Sequence, residues 1–85
     1  MPDDVGLREK AREAIRSGKM PSRRADRTLG GHGSRQLCAL CGERLHHDEA
    51  EIELQFDRQP TEPQQSYSLH PRCFAAWELE RTKIA

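Results

Sequence analysis

Aromatic and large apolar side chains are scarce in this 85-residue chain, which has one tryptophan, one tyrosine and two phenylalanines. Hydrophobic residues make up 34% and charged residues 33%, near the balance at which a chain stays unfolded unless something holds it together. No run of 18 apolar residues occurs, and no apolar signal-peptide core is visible, which argues against membrane insertion and classical export. Arg23-Arg24 is followed by Ala25-Asp26-Arg27 rather than by the apolar stretch of a twin-arginine signal. A cytoplasmic protein is the expectation. Only three cysteines are present, an odd number, so a disulfide framework would leave one thiol over. Net charge is also absent: the formal balance is zero.

That zero conceals an asymmetry. Residues 1–36 carry nine Lys/Arg against five Asp/Glu, a balance of +4, whereas residues 37–85 carry five against nine, a balance of −4. A basic arm therefore precedes an acidic segment. At this length the chain makes at most one small domain. The second segment holds twelve sizeable apolar side chains: Leu37, Leu40, Leu45, Ile52, Leu54, Phe56, Tyr67, Leu69, Phe74, Trp77, Leu79 and Ile84. That is a meagre core for a stable fold, and a structural metal is the usual supplement at this size.

The cysteines show where such a metal would go. Cys38-Ala39-Leu40-Cys41 and His70-Pro71-Arg72-Cys73 each place two residues between two potential ligands, with 28 residues between the pairs. Zinc favours tetrahedral sites filled by thiolate sulfur and imidazole nitrogen, and closed four-ligand sites are normally structural. Cys38, Cys41, His70 and Cys73 together use every cysteine in the chain. A redox dithiol would want a strand running into its CxxC, and the polar residues before Cys38 supply none. Iron favours all-sulfur sets, so the histidine points to zinc. His46-His47 are expected in solvent, because four donors already fill the shell.

The remaining elements follow from periodicity. Pro2-Asp3-Asp4 offers a helix start with acids at the positive end of the dipole. Leu7, Ala11, Ala14 and Ile15 then line one side of a helix over residues 1–19 that Ser17-Gly18 ends. Whether this helix docks on the rest is left open by so narrow a stripe. Residues 20–36 contain Pro21, Gly30, Gly31 and Gly33 with no surviving period, and read as a flexible linker. Within it, Arg23, Arg24, Arg27 and Arg35 are candidate phosphate contacts. Gly42 is placed for the positive φ that a metal knuckle often needs, and Glu43-Arg44-Leu45 for a short strand leaving it. From Ala50 to Asp57 the pattern alternates, with Ala50, Ile52, Leu54 and Phe56 facing in and Glu51, Glu53, Gln55 and Asp57 forming an acidic outer face. Tyr67-Ser68-Leu69 returns as the partner strand of a hairpin. Pro71 suits the first turn of a helix that runs to about Lys83, with Phe74 and Trp77 inward.

A knuckle, a hairpin and a helix whose first turn carries the last two ligands resemble the treble-clef zinc finger. The fold expected is therefore a small α+β zinc-stabilised domain over residues 37–85, preceded by a helix and a basic linker. The ending His70-Pro71-Arg72-Cys73-Phe74 is similar to the first zinc half of LIM domains, whose ligand pairs lie closer together and which continue into a second zinc unit. The long insert between ligand pairs resembles that of the poly(ADP-ribose) polymerase type of finger, which recognises DNA ends. The acidic residues Glu51, Glu53 and Asp57 depart from that family. Cys73-Phe74-Ala75-Ala76-Trp77-Glu78-Leu79-Glu80-Arg81, with Gly30-Gly31-His32-Gly33-Ser34 upstream, also resembles a group of small bacterial proteins, a likeness that brings no activity with it. Catalysis is not expected, since a catalytic zinc keeps a position for water and no nucleophile stands beside a base. The function predicted is a non-catalytic structural zinc module that contacts another protein, with nucleic-acid binding through the basic arm as the alternative.

Overall fold

A computed structural model describes residues 4–61 and 63–84 of the chain. Pro2 and Asp3 of the expected helix start lie outside them, as does the Ile84 side chain. The order of elements is helix α1 (Asp4–Arg16), strands β1 (Arg27–His32), β2 (Ala50–Phe56) and β3 (Gln65–Leu69), and helix α2 (Pro71–Ile84). The strands form one antiparallel sheet in the order β1-β2-β3. Helix α2 packs on both α1 and the β2–β3 side of the sheet, and so holds the two layers together. Among the described residues, no helix is long and apolar enough to cross a membrane.

The core gathers around Trp77, which is fully buried. Its ring meets Phe56 edge-on at 6.2 Å between centroids, and Phe56 in turn meets Tyr67 edge-on at 5.6 Å. These are the favoured orientations for aromatic quadrupoles. Trp77 Nε1–H donates to the Pro21 carbonyl at 2.9 Å. The indole is thus satisfied, and the chain leaving α1 is tied across α2. Met20 beside it is completely buried.

Helix α1 does dock. Ala11, Ala14 and Ile15 are buried, and Gly18 ends the helix at φ +84°, where a side chain would be strained. The decisive polar contact is Glu80 on α2, 1% exposed, whose carboxylate accepts from Arg8 Nε at 2.9 Å and Arg12 Nε at 3.2 Å. Lys83 adds a third cation at 3.9 Å. The hydrogen bond from Arg8 holds the Glu80 carboxyl below its ordinary pKa, against the opposing effect of burial and with help from Arg12 and Lys83.

Four expectations need correction. Residues 20–36 are not a featureless linker, because β1 runs through them and pairs with β2 from Arg27↔Gln55 to His32↔Ala50. That pairing is made by backbone groups, and all six β1 residues are exposed, so no side-chain period advertises it. Glu51 is not on a solvated acidic face: it is 7% exposed and accepts a hydrogen bond from the Ser34 backbone N–H at 2.6 Å. Burial pushes its carboxyl up, but the hydroxyls of Ser68 and Ser34 and the Ser34 N–H bring it net below the ordinary value. Leu37 and Leu79 are not core residues either, being 59% and 44% exposed, and the strand expected over Glu43–Leu45 reduces to one bridge, Leu37↔Arg44.

Two measurements test this packing. A Cβ on Gly33 would collide with the His46 carbonyl, whereas one on Gly31 would meet nothing within 4 Å. Gly33→Ala should therefore cost about 1–3 kcal/mol in chemical denaturation, as overpacking does, and Gly31→Ala much less. The lowered Glu80 carboxyl contributes stability above its unfolded pKa that is lost as pH falls through its folded one. Protection factors of the α1 amides, taken against intrinsic exchange rates at each pH, should accordingly fall in acid, and Glu80→Gln should lower them throughout and flatten that acid dependence.

Candidate metal centre

Three separate segments deliver the four candidate ligands. The first is the turn Cys38–Gly42. Cys38 N–H donates to the Glu43 carbonyl at 2.8 Å, Leu45 N–H to Gln36 at 2.7 Å and Gly42 N–H to Cys38 at 3.0 Å. These bonds fold residues 36–45 into a miniature hairpin, with Gly42 at φ +79° as its spacing suggested. Across the site, Ala39 N–H donates to the Ser68 carbonyl at 2.8 Å. That bond clamps the knuckle to the end of β3, two residues before His70.

His70 sits at the junction of β3 and α2, where its carbonyl accepts the Phe74 N–H at 2.9 Å. It is therefore the N-cap residue, Pro71 takes the first helical position without losing a needed donor, and Cys73 falls in the first turn. The free N–H groups of that turn lie at the positive end of the helix dipole.

The three sulfurs and an imidazole nitrogen all lie within 4.8 Å of one another. Cys41 Sγ is 3.4 Å and Cys73 Sγ 3.9 Å from His70 Nδ1. In a tetrahedron with Zn–S of about 2.3 Å and Zn–N of about 2.0 Å, the S···N edge is roughly 3.5 Å and the S···S edge roughly 3.8 Å. The donors thus stand near the spacing that one such ion requires. Cys38, His70 and Cys73 are buried and Cys41 is half-buried. The residues fit, and the four can hold one metal ion.

The electrostatics of the bare donors point the same way. The Cys38 thiol is lowered to about 3, first by a hydrogen bond from Cys73, then, against burial, by the backbone N–H groups of Cys41, His70 and Leu40. Cys73 moves in the opposite direction, raised by its hydrogen bond to Cys38, by burial and by the negative charges of Cys38 and Cys41. Sulfurs this close share protons and resist joint ionisation. A bound cation removes that conflict, because it replaces the proton between them.

His46 and His47 are exposed and take no part in the cluster. Of the four arginines in the basic arm, Arg23 pairs with Asp26 at 3.1 Å and Arg27 with Asp57 at 2.6 Å. Arg23 also lies over the Phe56 ring at 4.9 Å. Arg24 and Arg35 have no carboxylate within ion-pair distance among the described residues. Comparison of the chain with protein-family models, curated proteins and solved structures gave no match.

Sequence reasoning passed over Glu49. Its backbone N–H donates to the His46 carbonyl at 3.0 Å while its carboxylate accepts the His46 N–H at 3.2 Å. The acid three residues after the turn's start was the available signal, since that spacing allows a reciprocal pair of the capping-box kind. In metal titrations, His46→Ala and His47→Ala should bind with unchanged stoichiometry and affinity, whereas Cys73→Ser should weaken binding by orders of magnitude.

Proposed function

We propose that this chain is a structural zinc module of the treble-clef type, non-catalytic, which presents its surface to another protein. The observation that carries the reading is the gathering of four donors, three sulfurs and one imidazole, within 4.8 Å of one another, close enough for one ion to draw them together. Three thiolates and a neutral imidazole around Zn2+ leave a local charge of −1, which the helix N-terminus and the amides at Cys38 offset. With four protein donors the ion has no position for substrate or water, so its role is to fix shape. For a chain this poor in apolar side chains, structural zinc contributes on the order of 10–16 kcal/mol of coupled folding and binding energy.

A protein partner suits the surface better than nucleic acid does. Val5, Leu29, Leu37 and Leu79 are large apolar side chains left exposed, while Arg23 and Arg27 are engaged with Asp26 and Asp57. Metal analysis of the purified protein should find one zinc per chain. Removal by a strong chelator should collapse the dispersion of its amide NMR spectrum, and added zinc should restore it. Protein that is metal-free and still well dispersed would overturn the reading. Binding to DNA or RNA that falls steeply with salt would shift it towards the basic arm.

A further inference from the structure

A histidine that gives one ring nitrogen to a metal must place a proton on the other, and the partner of that N–H fixes both tautomer and ring orientation. His70 turns Nδ1 to the sulfurs, and its Nε2 faces the carboxylate of Glu49, with Nε2 to Oε1 at 3.9 Å. His70 is buried, so the ring cannot turn to solvent for an acceptor. Glu49 is pinned at its backbone on both sides: its N–H donates to His46 and its carbonyl accepts the Gly33 N–H at 2.8 Å. Its side chain is half-exposed; the Oε1 that faces Nε2 also accepts the His46 N–H at 3.2 Å, and a carboxylate oxygen has a second lone pair for Nε2–H once a gap of about 1 Å closes.

We propose that Glu49 is the outer-sphere partner of His70: its carboxylate accepts the Nε2–H, holds the proton on that nitrogen, and so presents the Nδ1 lone pair to the ion. This rests on the metal-binding reading above and adds a positioning residue to it. The loop residues 46–49 thereby acquire a role beyond connection, since they carry the acceptor to the back of the one non-sulfur ligand. Gly33 belongs to the same arrangement, because its close approach to the His46 carbonyl lets β1 lie against the turn that holds Glu49.

Zinc affinity of the full chain, measured by competition with a chromophoric chelator at fixed pH, tests this with Glu49→Ala, Glu49→Gln and Glu43→Ala. Glu49→Ala should weaken zinc binding by roughly 10–100-fold, the usual cost of losing such a partner. Glu49→Gln, which keeps an oxygen acceptor, should lose less, and Glu43→Ala should match the parent. A turn-only role is separated by the imidazole 15N spectrum of the zinc-loaded protein, in which the Nε2–H of His70 should be slow to exchange in the parent and fast in Glu49→Ala. Parent-like affinity in Glu49→Ala would overturn the proposal. So would equal losses in the Ala and Gln variants with the Nε2–H signal unmoved, which would assign Glu49 to the turn alone. A parent that binds no zinc would defeat the metal reading and this proposal together, whereas a parent that binds and a variant that equals it defeats only the role of Glu49.

Discussion

Four electron-rich side chains crowded within a few ångströms of one another constrain everything else in this molecule. Cys38 and Cys41 come from a turn, His70 from the end of a strand and Cys73 from the first turn of a helix. Left to themselves the thiolates repel, and burial makes that repulsion more costly. A divalent cation reverses the sign of the interaction and makes the meeting of the three segments favourable. The backbone bond from Ala39 to Ser68 sets the same meeting without any ion, so the segments are aligned by the sheet and held by the donors.

From that corner the architecture spreads along α2. One end of the helix carries Cys73, its middle carries Trp77, and its last turns carry Glu80 and Lys83. Each station binds a different part of the chain: the knuckle, the segment at Met20–Pro21, and helix α1. The apolar content is small, but it is concentrated where β2, β3 and α2 face one another. The polar contacts of Glu80 and Glu51 then recruit segments that have little apolar surface of their own.

What could be read from the sequence, and what could not, divides on physical grounds. The four donors were legible because ligand chemistry tolerates few residue types and two-residue spacings. Strand β2 was legible from the alternation of Ile52, Leu54 and Phe56 with polar residues, β3 as its return strand, and helix α2 from Pro71 at its start and the spacing of Phe74 and Trp77. Strand β1 buries no side chain; it is held through its backbone to an edge that β2 leaves open, and Gly30 and Gly31 made it look like a linker. Glu51 misled for a related reason. Alternation assigned it to a solvated face, yet the Ser34 N–H reaches its carboxylate and the residue is buried. Leu37 shows the converse, a large apolar side chain in the knuckle that the turn leaves in solvent. The docking of α1 depended on Arg8 and Arg12 finding a carboxylate some seventy residues away, a pairing no local window contains.

The single indole has an optical consequence. Trp77 lies between the aromatic stack of the sheet, the carbonyl of Pro21 and the guanidinium of Arg81, which sits 5.5 Å from its ring. Its emission colour and intensity therefore register water reaching any of those three surroundings. Nature has supplied the chain with one built-in lamp at the place where its layers join, so assembly of the whole molecule can be watched without attaching a dye.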